Sequence, residues 1–264
     1  MKNSGEIQKQ LRTRILELSH QANSGHIGGA LSCIDLLISI LVYNKNEEED
    51  FILSKGHAAL ALYVCLNYSG EIPDSELLSF YKNGTQLPAH PAANKYKGIP
   101  FALGSLGHGL SIATGIAQAN KIQASGNHTF VLLSDGDTNE GTTWEAAHFA
   151  VNNQLDRLIV VIDKNSIQGF GNSSDILGDT ANAGTWISIG FDVFEIDGHD
   201  IELINGTIQK CRILLNGKPK VLIANTTKGK GVSYMEKRME WHYLPMTEEQ
   251  YTQALQDINK LYHA

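Results

Sequence analysis

Cysteine is scarce in this chain and nowhere paired. Cys33, Cys65 and Cys211 are far apart and form no Cys-x-x-Cys, which excludes a disulfide framework and a zinc site and suits a reducing cytosol. An excess of positive charge is also lacking. The 21 Lys and Arg against 28 Asp and Glu leave a formal charge of −7, the wrong sign for a face that grips nucleic-acid phosphates. No apolar run is expected to approach the roughly 18–20 residues a membrane span requires. The first residues, "MKNSGEIQKQLRTRILELSHQ", are helical rather than signal-like in character. The triplets Asn83-Gly-Thr and Asn205-Gly-Thr are then chance matches to a glycosylation pattern. The expectation is a soluble, cytoplasmic protein with neither nucleic acid nor membrane as partner.

What is present is a clear alternation of periods. Ile7, Leu11, Ile15 and Leu18 recur at helical spacing, then comes a polar, Gly-rich break, "ANSGHIGGALS", and a second helical stretch, "CIDLLISILVYN". "FILSKGHAALALYVCLNYSG" reads as a short strand, a Gly-His turn and a buried helix. A less regular section follows, with Pro88, Pro91 and Pro100. From Leu110 on, an Ala-rich helix, the strand "HTFVLLSD", the helix "TTWEAAHFAVNNQ" and the strands "RLIVVID", "DVFEID" and "KVLIANTT" succeed one another. Apolar β-branched runs alternating with helices predict an α/β fold, a parallel sheet with helices on both faces behind a helical N-terminal preface. With 264 residues and no internal repeat or low-complexity tract, one domain over 1–264 is expected.

Two of the predicted strands end in acidic turns, Asp135 in Ser-Asp-Gly and Asn165 in Asp163-Lys-Asn. Ligands of open α/β sheets collect at the carboxyl ends of strands. Asp135, Asn165 and a backbone carbonyl such as that of Ile167 offer a half-shell of oxygens for a hard divalent ion. Gly136 allows close backbone approach to an anion near a helix start. One carboxylate suits magnesium completed by water and substrate phosphate better than a bare metal cage. Taken singly, Asp135 and Asn165 read equally as turn formers and helix caps, and Glu140 and Glu145 as complements to a helix dipole.

Several motifs in one order resolve this. "SDGDTNEGTTWEA…DKNSIQG", with "SGHIGGALS", "DFILSKGHAALALY", "PAHP", "GSLGHG" and "NTTKGKGVSYMEKRMEWH", resembles the transketolase family over most of the chain. The resemblance implies a thiamine-diphosphate-binding fold and ketol transfer. Asp135, Asn165 and the Ile167 carbonyl would hold Mg2+, for which Ca2+ or Mn2+ can substitute. Gly136, His57 and His242 would hold the diphosphate, and Gly104, Ser105 and Leu106 would lie against the aminopyrimidine. His26, His90 and His242 would line the channel to the thiazolium, bond the hydroxyls of a ketose donor and pass protons. Glu140 and Glu145 would join a carboxylate cluster linking paired sites. His20, His128, His148 and His263 match no motif and read as ordinary residues. His199, in "IDGHD", reads as a structural strand-end turn, and His108 has no assigned role.

Three departures qualify the match. Ser134 stands where the family motif has glycine, Asp137 follows Asp-Gly, and Tyr243 follows His242 where glycine is expected; Tyr243 is expected to narrow the donor channel. The resemblance also covers only the diphosphate-binding part of a transketolase. A separate carboxy-terminal transketolase subunit, carrying the pyrimidine-binding domain, is therefore expected in a heterotetramer of two plus two chains, acting on sugar phosphates. The alternatives are a specialised ketol or acyl transferase using the same cofactor and a non-catalytic paralogue. A generic nucleotide-binding domain lacks support, because "GSLGHG" has neither the P-loop lysine nor the Rossmann glycine spacing.

Overall fold

In the computed structural model, which describes residues 3–93 and 95–262, helices and strands follow the predicted alternation. Helix α1 (Ser4–Gln21) starts at a capping box: Glu6 N–H donates to the Asn3 side chain at 2.8 Å while Asn3 N–H donates back to Glu6. Helix α2 (Ile27–Leu37) continues as a π-helical segment to Asn44 and is followed by β1 (Asp50–Leu53), α3 (Ala59–Tyr68) and the one-turn α4 (Asp74–Leu77). Then come α5 (His108–Ile122), β2 (Thr129–Ser134), α6 (Gly141–Asn152) and β3 (Leu158–Lys164). A small hairpin, β4 (Ile167–Gln168) and β5 (Gly171–Asn172), leads into α7 (Ser173–Leu177) and α8 (Ala183–Ile189). The chain closes with β6 (Asp192–Asp197), α9 (Ile201–Ile213), β7 (Lys220–Asn225) and α10 (Glu248–Leu261).

The five-stranded sheet has the order β1-β2-β3-β7-β6, every pair parallel. Alternate residues of each central strand enter different cores. Phe130 and Leu132 of β2 and Ile159 and Val161 of β3 pack with α1, α2 and α3. Val131 and Leu133, with Val160 and Ile162, pack with α5, α6 and Trp186 of α8. Burial on both faces explains why these strands are continuous apolar runs rather than alternating ones. The N-terminal helices precede β1 as expected and form the layer over one face.

Two expectations about the second helix are corrected. It begins at Ile27, within the supposed break, because Gly28 and Gly29 keep that face bare. A Cβ on Gly28 would sit 3.0 Å from the Trp241 carbonyl oxygen, and one on Gly29 3.5 Å from the His57 ring. Ile27–Asn44 is also long and apolar enough by composition to cross a membrane, contrary to the expectation of no such run; most of it is buried inside the fold, where it serves as a core helix. The three cysteines are free thiols, all buried.

Candidate active site at the strand ends

The strand register sets the site. Ser134 pairs with Asp163 across β2 and β3, and Lys164 pairs with Asn225 across β3 and β7, so the loops after β1, β2, β3 and β7 leave the sheet at one level. They line a cavity of about 260 Å3 that includes Lys55, His57, Leu106, Asp135, Gly136, Asn165, Ile167, Lys228 and His242, with the exposed Phe170 and Tyr243 at its mouth. Asp135 and Asn165, far apart in sequence, thus face one space, as the motif implied.

Beneath the cavity lies a buried ion pair that the sequence motifs did not single out. Lys55 Nζ donates to Asp163, and both side chains are almost fully inaccessible. Asp163 also accepts from Ser32 of α2 at 2.5 Å, from Thr226 after β7, and from Asn165 at 3.3 Å. Burial raises a carboxyl pKa, but the Lys55 ammonium and these hydroxyls outweigh it and hold Asp163 below its ordinary value. Asp163 therefore ties four segments to one carboxylate. It also orients Asn165, whose amide nitrogen points at Asp163 and Ser32 while its oxygen accepts from Ile167 N–H at 3.1 Å.

Asp137, noted only as a departure, plays the corresponding role on the other side. Its buried carboxylate accepts from Ser54 Oγ at 2.5 Å, Gly107 N at 2.8 Å, Ser134 N at 2.7 Å and Ser134 Oγ at 2.8 Å. This fastens the "GSLGHG" loop to the ends of β1 and β2. Gly107, at φ 79°, turns the loop there, and a Cβ on it would strike Glu140. Ser134 is thus a hydrogen-bonding partner of Asp137 rather than a neutral replacement for glycine.

The residues fit a metal–diphosphate group by their donor chemistry. Asp135 Oδ1 accepts from Gly136 N–H at 3.0 Å, whereas Oδ2 is buried and makes no hydrogen bond of normal geometry. Burial, with the nearby Asp163 charge, pushes this carboxyl above its ordinary value, the condition of an anion awaiting a cation. Lys228 Nζ donates to the Ile167 carbonyl and to His242 Nδ1, each at 2.9 Å. Burial and the neighbouring Lys55 lower Lys228 to about 8, so two lysine cations stand where an anion would sit. Among the described residues no group of three or more His, Cys, Asp and Glu forms a metal cage, in keeping with one carboxylate, one amide oxygen and one carbonyl.

The candidate histidines converge. The His26 ring centroid lies 5.6 Å from His57, 6.1 Å from His90 and 5.0 Å from His242, and His57 lies 5.5 Å from His242. His26 caps α2 in a left-handed conformation, φ 62°, a strained position for a side chain with a Cβ. Its N–H donates to the His242 carbonyl at 3.2 Å, and its Nδ1 is buried without a partner. Burial depresses the pKa of His26, with help from His90, and depresses that of His57 further, with help from Lys55. His242 is lowered to about 3 by burial, then by Lys228. These three imidazoles are neutral at neutral pH. Since Lys228 is the donor to His242 Nδ1, His242 presents its Nε2–H as a hydrogen-bond donor.

That depression has a thermodynamic consequence. Below the ordinary pKa of 6.5 the unfolded chain takes up a proton on His242 that the folded chain refuses until about pH 3, so its contribution is complete above 6.5 and is lost as pH falls. Between about pH 8 and about pH 5 the cofactor-free chain is expected to lose stability through this group, by less than a fully buried imidazole would cost because His242 is partly open to solvent. His242→Gln should flatten that part of the stability–pH curve in urea unfolding. An unchanged curve would show that His242 titrates normally.

The remaining predicted residues lie as follows. Gly104 packs against the His90 ring, with 3.3 Å left for a Cβ, and Ser105 is exposed beside it. Leu106 lines the cavity. Glu140 adjoins Gly107 outside the cavity lining, and Glu145 is exposed on α6. His108 starts α5, with Nδ1 3.1 Å from the Leu106 carbonyl. His20 stacks on Tyr251, His128 bonds to Glu49, and His148 is exposed; His263 lies outside the described residues. Lys55, Asp163 and Lys228 were missed as site residues. For Lys55 and Lys228 the signal was present in "SKGH" and "TTKGKG", lysines just past the ends of apolar strands, whereas Asp163 lies within β3 itself.

Known proteins resemble this chain in sequence and fold. A family model described as transketolase, thiamine diphosphate binding domain, matches residues 4–259. One of the subunits of apulose-4-phosphate transketolase from Actinobacillus succinogenes is 39% identical over 262 residues, covering 95% of this chain and 94% of that protein. A 6-deoxy-6-sulfo-D-fructose transketolase subunit of a Clostridium species is 33% identical, covering 93% of this chain and 97% of its own length. Among solved structures, transketolase from Leishmania mexicana superposes with a TM-score of 0.88 at 25% identity, and that from Campylobacter jejuni with 0.86 at 29%. The chain covers 99% and 98% of itself in these matches but only 41% and 43% of the two transketolases.

Proposed function

The chain belongs to the transketolase family, as a thiamine-diphosphate-binding domain, and we propose that it is the amino-terminal subunit of a split transketolase. It would move a two-carbon ketol unit from a ketose phosphate to an aldose phosphate, in the cytoplasm, together with a carboxy-terminal subunit that supplies the pyrimidine-binding domain, two copies of each. The observation that carries this is the single cavity in which Asp135, Asn165 and the Ile167 carbonyl meet Lys55, Lys228, His57 and His242. The names of the relatives that are themselves subunits, each similar in length to this chain, support the division into two chains.

Thiamine diphosphate, when bound, supplies an electron sink for carbon–carbon cleavage. Asp135, Asn165 and Ile167 would hold Mg2+, and Gly136, His57 and Lys228 would hold the diphosphate. His242, donating through Nε2–H, would bond a substrate oxygen where negative charge develops. His26, neutral and with Nδ1 unpaired, is suited to take or give a proton at a substrate hydroxyl, with His90 beside it.

Mixing the two purified subunits with cofactor and magnesium should give ketol transfer, and this chain alone should give none. Native mass spectrometry of the chain purified from its own cells should show a second chain, thiamine diphosphate and magnesium. Robust transfer by the single chain would overturn the division into subunits. A cofactor-loaded pair that transfers nothing would overturn the reaction. A specialised sugar donor is the second reading. It rests on Tyr243, whose hydroxyl donates to the Gly169 carbonyl at 3.0 Å and whose ring stands 4.7 Å from His242 at the cavity mouth.

A further inference from the structure

The site lysine Lys228 sits in a short segment fastened at the backbone on both sides. Gly229 N–H donates to the Gly28 carbonyl at 2.9 Å, a main-chain bond that makes no use of a side chain. On the other side Thr227 N–H donates to the Nε2 of His199 at 2.9 Å. A backbone N–H only donates, so Nε2 must be the acceptor and the ring must be neutral with its proton on Nδ1. That Nδ1–H points at Asp35 Oδ2, 2.8 Å away. Asp35 is itself fully buried and fixed by Arg12, which reaches both its oxygens at 2.7 and 2.6 Å, and by Gln8 at 2.9 Å. A rigid carboxylate thus sets both the tautomer and the plane of His199, and His199 holds the Thr227 N–H alongside the main-chain bonds from Thr226 N–H to the Lys164 carbonyl at 3.1 Å and from Lys237 N–H to the Lys228 carbonyl at 3.0 Å.

We propose that His199 is a positioning residue of the site. Through Thr227 it holds the start of the Thr227–Gly229 segment so that the Lys228 ammonium reaches the Ile167 carbonyl and His242 Nδ1. It touches none of the cavity itself. A strand-end turn needs no such side chain, because the turn is already closed by His199 N–H donating to the Asp197 carboxylate at 2.9 Å. The chain from α1 through the Arg12–Asp35 ion pair, His199 and Thr227 to Lys228 couples the outer helix to the cavity floor.

The two halves of the imidazole can be separated. Asn places an amide N–H near the Nδ1 position and keeps the bond to Asp35; Gln places an amide oxygen near the Nε2 position and keeps the acceptor for Thr227. Lys228 is buried in the native chain, so its rate of acetylation by acetic anhydride, read by mass spectrometry on the cofactor-free chain, reports its placement. The expectation is that His199→Asn raises Lys228 acetylation by about tenfold or more and raises the thiamine diphosphate half-saturation of the two-subunit enzyme similarly, while His199→Gln stays within about threefold on both. A merely structural role would move the melting temperature in both variants and separate neither readout. Equal effects of Asn and Gln, or no effect of either, would overturn the proposal. If His199→Asn does not fold, His199→Ser replaces it in the same comparison with Gln. The cofactor readout rests on the proposed function; the acetylation readout does not. Should the wild-type pair take up no cofactor, the proposed function falls and the labelling still decides for or against His199.

Discussion

Asp163→Ala is expected to destabilise the chain by about 3–5 kcal/mol, the cost of leaving a buried charge without its partner. Lys55 is almost fully inaccessible, and its further hydrogen bond, to the Gly29 carbonyl at 3.4 Å, is long. Burial disfavours its charge, and Asp163 is what holds its pKa above the ordinary amine value. The loss would spread, because Ser32, Thr226 and Asn165 bond to the same carboxylate. Urea unfolding of the single variant measures the cost. The double variant with Lys55→Met is the control: removing both charges should recover most of the stability, since a well-packed apolar pair often matches a buried ion pair. A single-variant loss below about 1 kcal/mol would mean that Lys55 sheds its proton or finds water instead.

The same residues show what was legible in the sequence. Strands β2 and β3 were readable because burial on both faces makes them unbroken apolar runs, and β-branched residues bound them against the neighbouring helices. Asp135 and Asn165 were readable because a polar residue ending such a run must face the sheet's carboxyl edge. Asp163 was hidden by the same rule. It belongs to β3 itself, paired with Ser134, and only the positions of α2 and the loops after β1 and β7 reveal how many donors meet on it. The hairpin β4–β5 was invisible, since two-residue strands carry no period. The start of α2 was misplaced because Gly28 and Gly29 signal a break locally, whereas the closeness of Trp241 and Lys228 to Gly28 is a tertiary fact. Tyr243 shows the limit from the other side: its unusual position was evident, but its bond to Gly169, where a Cβ would meet the Tyr243 hydroxyl at 2.2 Å, depends on the fold.

Asp135→Asn is expected to act in opposite directions on stability and on activity. In the cofactor-free chain the carboxylate is disfavoured by burial first and by Asp163 second, which raises its pKa. A carboxyl whose folded value exceeds its unfolded value makes the folded state less stable once pH passes above the unfolded value, where the unfolded chain ionises more freely. Asparagine keeps the shape and the acceptor for Gly136 N–H while removing the charge, so at neutral pH the variant should be more stable by about 1 kcal/mol. The assembled enzyme should lose about a thousandfold in activity, because the only carboxylate of the Asp135, Asn165 and Ile167 set is gone and several kcal/mol of cation binding go with it. Raising the magnesium concentration should recover part of that activity, through occupancy alone. Chemical denaturation and ketol-transfer kinetics, run on the same preparation, test both halves. A variant that is less stable and fully active would show Asp135 to be a structural cap, with its buried Oδ2 serving the nearby Ser173 hydroxyl. A gain in stability with a loss of activity identifies a carboxylate kept in the site at the fold's expense, as the proposed cation site requires.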